Sequence, residues 1–170
     1  MRILVPQMIF FNFDSAKDDE KGVNGEDTAL TIRGTLADLG ITNIDGSMLA
    51  LGAGDAIAES SLAKKLGIEL VKLVDNKFNG SMPGFRGERE VADMYEYLST
   101  HKEDRGLVTA LGLEYVLEDR SNWARFWSGV KNVTTLNSLV IVYPHFKPKL
   151  NDDSFEILES GNIFVAKRIS

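Results

Sequence analysis

The chain has 170 residues, 44% hydrophobic and 26% charged, with a formal net charge of −6 and no cysteine. That length and balance fit residues 1–170 folding as a single domain around one full-sized core. Disulfides and thiolate metal sites are excluded, no apolar run approaches the roughly 18 residues of a membrane span, and the acidic balance disfavours a long nucleic-acid duplex as partner.

Ile3 to Phe13 is rich in Ile, Val and Phe. It reads as a strand, or as an arm able to fold over a site or to pair with a second copy in a homo-oligomer. Pro6 and the aspartates that follow make it a poor signal peptide, and with the lack of cysteine this fits a cytoplasmic location. Residues 14–27 are polar, charged and glycine-bearing and read as a mobile loop, so that residues 1–26 form an arm and loop ahead of the core. After Asp27, apolar residues at 29, 32, 36 and 39 give one helical face, and Gly40 is a natural stop.

Met48 to Leu51 is a short apolar run that meets Gly52 and Gly54, with small Ala56 two residues on. A helix follows to Leu66, with Ile57, Ala58, Leu62, Ala63 and Leu66 as its buried side. A second apolar run, Ile68 to Val74, ends on Asp75. This is a strand–turn–helix–strand unit with a nucleoside-binding layout: glycines let the backbone turn and approach a ligand, and an acid at the next strand tip can accept from ribose hydroxyls.

Residues 76–87 hold three glycines, a proline, Phe78, Met82 and Phe85, and read as a lid or a plain connector. Glu88 to His101 is expected to be helical, with Val91, Met94, Tyr95 and Leu98 in register. Leu107 begins a buried strand that turns at Gly112. Asn122 to Val130 is a short helix whose Trp123 and Trp127, four apart, read as core. Asn137 to Tyr143 is the most strand-like run, and Phe155 to Ala166 reads as a hairpin. Strands alternating with helices imply a three-layer α/β sandwich with a mostly parallel central sheet. Lys147 to Lys149 and the pair Arg86 and Arg89 read as solvated surface. No metal site is expected, since His101 and His145 are the only histidines.

The third small position sorts the nucleosides. The dinucleotide fingerprint calls for Gly or Ala in the sixth place from Gly52, where this chain has the large Ile57, and there is no Gly-Lys-Ser/Thr for a phosphate loop. Counted as Gly-x-Gly-x-small, Gly52, Gly54 and Ala56 resemble the first motif of the class I S-adenosylmethionine-dependent methyltransferases. The closing “Gly161-Asn162-Ile163-Phe164-Val165-Ala166-Lys167-Arg168” resembles the antiparallel hairpin that ends their Rossmann-like sheet, and the likeness extends over roughly residues 27–170. It implies S-adenosylmethionine as cofactor, held by Gly52, Ala53, Gly54, Asp55, Ala56, Asp75 and Asn76. One element departs from the family. Its third strand, whose tip usually carries the adenine-contacting acid, has no clear counterpart between Asp75 and Leu107; either the fold is trimmed or the strand lies hidden there. Asp104 is a weak stand-in for that acid.

The methyl acceptor is unidentified and can be a small molecule, a protein or a nucleic acid. Leu111-Gly112-Leu113-Glu114-Tyr115 follows the fourth strand without the Asp/Asn-Pro-Pro-Tyr motif, which disfavours an amino group on a nucleobase. Glu114 can accept a proton and Tyr115 can stack on an acceptor. Tyr143-Pro144-His145-Phe146 ends the fifth strand on the ligand-binding edge, and His145 titrates near neutrality when unperturbed, which suits a general base. Glu114, Tyr143 and His145 are therefore the candidate catalytic residues. The competing expectation is a non-catalytic cofactor-binding or protein-interaction module on the same scaffold.

Overall fold

A computed structural model describes residues 25–78, 87–144, 150 and 152–170. Seven strands form one sheet: β1 (Met48–Leu51), β2 (Val71–Asp75), β3 (Glu88–Val91), β4 (Arg105–Leu111), β5 (Thr134–Tyr143), β6 (Phe155–Ser160) and β7 (Phe164–Arg168). Their spatial order is β3-β2-β1-β4-β5-β7-β6. The first five run parallel, and β7 enters antiparallel between β5 and β6 to close the sheet as a hairpin.

Alternation along each strand builds the two outer layers. Met48 and Ala50 of β1, Leu107 and Leu111 of β4 and Ile141 of β5 meet α1 (Gly25–Asp38) and α2 (Ile57–Leu66) on one face. Leu49 and Leu51, Val108 and Ala110, and Val140 and Val142 meet α3 (Met94–Thr100), α4 (Glu114–Leu117) and α5 (Arg120–Val130) on the other. Trp123 and Trp127 are core, as expected, packed edge-on against each other and against Phe164. No described helix is long and apolar enough to cross a membrane.

Three expectations change. The helix expected over Glu88 to His101 is two elements, β3 and α3, joined through Asp93, whose side chain accepts from the Tyr95 and Glu96 N–H groups and caps the helix. β3 is an edge strand of Glu-Arg-Glu-Val, mostly exposed, so it carries no apolar alternation to reveal it. Val91, expected inside, is 72% exposed; Leu98 is buried as expected, and Tyr97 is buried beside it. The first helix starts at Gly25, so the last residues of the expected loop are helical. Gly25 lies against α2 so closely that a Cβ would stand 2.7 Å from Ile57 Cγ2, and Glu26 reaches Lys65 at 3.3 Å. On α2 itself Ile57 is exposed, and Glu59 takes a buried place.

The third strand is therefore present, which settles one half of the choice posed by the sequence. Between β2 and β3 no helix is found among the described residues; residues 79–86, with Met82 and Phe85, lie outside them. The N-terminal arm and His145 also lie outside.

With so little apolar surface, β3 depends on its ladder to β2 and on charge. Lys72 of β2, its side chain only 13% exposed, lies 2.8 Å from Glu90, 3.8 Å from Glu103 and 3.9 Å from Glu88. Lys72→Met would leave these carboxylates facing one another without their shared lysine, with Glu103 still bonded by Arg105 and Tyr97 and Glu90 still 3.7 Å from His101. The expected outcome is a loss of about 2 kcal/mol, read from the urea midpoint at unchanged slope.

Candidate active site

β1 ends at Leu51, and the chain must leave the sheet, turn and enter α2 within five residues. It does so through three left-handed residues, Gly52 (φ 65°), Gly54 (φ 54°) and Ala56 (φ 57°). At Gly52 the space a Cβ would take is filled by Leu113. The Gly52 N–H still donates to Val74 O at 2.8 Å, and the Ala56 N–H closes the turn on Ala53 O at 2.7 Å. Ala53 and Ala56 are buried, while Asp55 is exposed and accepts from the Ile57 N–H at 3.1 Å.

Asp75 locks this turn to the neighbouring strand. Its Oδ2 accepts from the Gly54 N–H at 2.8 Å, and its Oδ1 accepts from the Lys77 N–H at 2.9 Å. The two motif residues, 21 positions apart, are thus directly bonded. Each carboxylate oxygen keeps a lone pair for a further donor. Among the described residues nothing lies within 4 Å of where a Gly54 Cβ would stand, so they leave the outer side of the turn open. Exposed Asn76 follows directly.

The neighbouring strand tips share this edge. The Ala92 N–H donates to Asp75 O at 3.0 Å, which puts Asp93 at the carboxyl end of β3. Asp93 is the acid at the third-strand tip that the sequence reading missed; its signal was the N-cap spacing Asp93-Met94-Tyr95-Glu96 inside a segment read as continuous helix. Asp104 is corrected here. It precedes β4 on the opposite, amino edge, where with Asp45 and Asn137 it lines a groove of about 760 Å³ remote from the turn. Gly112 (φ 74°) leaves β4 with its N–H donating to Tyr143 O at 2.7 Å, so the tips of β4 and β5 meet. Glu114 opens α4 there, and half-buried Tyr143 ends β5. Of the three candidate catalytic positions, Glu114 and Tyr143 therefore lie on the carboxyl edge with the turn.

Among the described residues the strongest electrostatic perturbation belongs to Glu59, also missed from sequence because an acid in a helix's first turn ordinarily faces water. Its side chain is 3% exposed. Burial pushes its carboxyl up to about 8, against the pull of its own backbone N–H, and Asp55 and Asp75 push it further the same way. Tyr95, beneath the Arg125 guanidinium at 4.3 Å, is pushed up to about 12 by burial, with Arg125 opposing. It stays neutral near pH 7 and makes a poor base.

The fold is similar to those of known proteins. NodS, an N-methyltransferase from Bradyrhizobium japonicum, is similar with a TM-score of 0.62 at 10% identity, over 90% of this chain and 100% of that one. The magnesium protoporphyrin IX methyltransferase of Synechocystis, solved with bound S-adenosylmethionine, is similar with a TM-score of 0.58 at 15% identity, over 86% of this chain and 80% of that one. The fold is that of the class I methyltransferases. No family model matches the chain, and no curated protein matches it in sequence. The mostly parallel sheet and its antiparallel closing hairpin are as expected from the sequence, and β3 supplies the strand that was in doubt.

Proposed function

We propose that the protein is an S-adenosylmethionine-dependent methyltransferase. The observation that carries this reading is the hydrogen bond from the Gly54 N–H to Asp75, which joins an open glycine turn to an acid at the next strand tip. At such a junction in an open α/β sheet, backbone can lie against a ligand and a carboxylate can receive its ribose hydroxyls.

Gly52, Ala53, Gly54, Asp55 and Ala56 would form the wall beneath the amino-acid part of the cofactor, Asp75 and Asn76 would hold the ribose, and Asp93 would face the adenine. When bound, S-adenosylmethionine supplies a methyl group on a positively charged sulfur. The chain has to align an acceptor with that group, exclude water and take up a proton where the acceptor carries one. Glu114 and His145 are the candidate proton acceptors. Tyr143, at the joined tips of β4 and β5, would border the acceptor.

Calorimetric titration with S-adenosylhomocysteine tests the reading, and saturable binding is expected; no heat at millimolar ligand overturns it. Transfer of label from S-adenosylmethionine to a mixture of protein, nucleic acid and small molecules then tests catalysis. Gly54→Ala provides a local check. Left-handed backbone alone should cost about 1 kcal/mol of stability, and the new methyl group enters the open side of the turn, so S-adenosylhomocysteine should bind more weakly.

A further inference from the structure

Glu59 is a buried acid to which the described chain supplies no cation. It sits at the third position of α2, after the left-handed Ala56, in the place from which a glutamate normally reaches back to the cap N–H. That N–H is already spent on Ala53 O, and among the described residues Glu59 accepts from its own N–H instead.

The charges that act on it are both negative, Asp55 from the turn and Asp75 from the tip of β2. α1 packs along α2 and carries Glu26, Asp27, Arg33 and Asp38, with Glu26 committed to Lys65. α2 carries Lys64 and Lys65 in its last turn, away from Glu59. Beneath the helix, β1 has no titratable side chain, and β4 has only Arg105, held at the far end by Glu103 and Ser47. The sheet face under α1 and α2 also holds Thr109, fully buried with an unpaired hydroxyl. A nine-tenths buried carboxyl, pressed by two others beside an open turn, is an arrangement that a positive ligand would relieve.

We infer that Glu59 is a specificity residue of the cofactor site: with Asp55 and Asp75 it favours the cationic sulfonium ligand over the neutral thioether product, and it releases its proton when the cation binds. The inference rests on the methyltransferase reading. By linkage, a ligand that draws a proton off Glu59 binds more tightly as that proton becomes easier to lose, so preference for the sulfonium over the thioether should rise with pH. Transfer of the methyl group moves the C–S bonding pair onto sulfur and removes the positive charge, and Glu59 then regains its proton from solvent. The same residue would thereby weaken the hold on product.

The test is calorimetric titration at about pH 7 in two buffers of different ionisation enthalpy, which counts protons exchanged on binding. Wild-type protein should release most of one proton with S-adenosylmethionine and almost none with S-adenosylhomocysteine. Glu59→Gln, nearly isosteric, should abolish the release and cut the sulfonium-to-thioether affinity ratio by about tenfold. Equal release with both ligands, release that persists in Glu59→Gln, or an unchanged affinity ratio would each overturn the inference. If neither ligand binds the wild type, the methyltransferase reading itself fails, an outcome separate from binding without proton release. The wild-type proton count needs no variant, so the result stands even if the variant folds poorly.

Discussion

Asp75→Ala is expected to weaken S-adenosylhomocysteine binding at least about tenfold and to lower stability by about 2–3 kcal/mol. The two effects have separate causes. In the free protein the carboxylate pairs the Gly54 and Lys77 N–H groups, and alanine leaves both without that partner. In the complex the ribose hydroxyls would lose their acceptor as well. Asp75→Asn separates the contributions. One amide oxygen can still accept, but the NH₂ group must face either the Gly54 or the Lys77 N–H, donor against donor. Asparagine should therefore fall between aspartate and alanine in both urea denaturation and ligand titration. An alanine variant that binds as well as wild type would remove Asp75 from the cofactor site.

The second large effect is a pH dependence of stability set by Glu59. Its carboxyl ionises near 4.5 in the unfolded chain and at about 8 in the folded one. Below about pH 4.5 both states hold the proton and Glu59 is neutral to stability. As pH rises from there to about 8, only the folded state keeps the proton, so stability falls by about 1.4 kcal/mol per unit. By neutral pH the loss is about 3 kcal/mol. Glu103 sets the opposite slope on the acid side. Burial would raise it, but hydrogen bonds from Arg105 and Tyr97 outweigh burial and hold it below its usual range. Its contribution is present above its unfolded value of 4.5 and is lost as pH falls through its lower folded value. Thermal unfolding across pH should therefore peak on the mildly acidic side. Glu59→Gln should flatten the decline towards pH 8 and gain stability there, with little change near pH 5. A variant that declines with pH as steeply as wild type would assign the slope to another group.

Local pattern was enough for the elements that bury a regular apolar face. Met48 to Leu51 is a strand with the bounds expected, β1 and β2 are parallel neighbours, and the closing hairpin is where its apolar runs placed it. Burial forces periodicity on such segments, and periodicity is what a single sequence displays. The glycine turn and Asp75 were recognisable for a related reason: left-handed backbone restricts the residue type, and a strand tip is a fixed distance from the turn along a short helix.

Tertiary structure decided the rest, where no local force shapes the residues. β3 is held by its partner's backbone and by Lys72, so Glu-Arg-Glu-Val carries no apolar signature, and its helix-like spacing with Met94 and Tyr95 is coincidental. Asp93 acquires its place at the carboxyl edge of the sheet only because that strand exists. The bond between Gly54 and Asp75 spans 21 residues and follows from strand order rather than from either neighbourhood. Glu59 shows this most clearly. By composition it is an ordinary first-turn acid, and it becomes a buried, proton-holding group only when the fold takes it out of water and brings two further carboxylates near it. Its environment is built by long-range packing, so no window of sequence around residue 59 contains it.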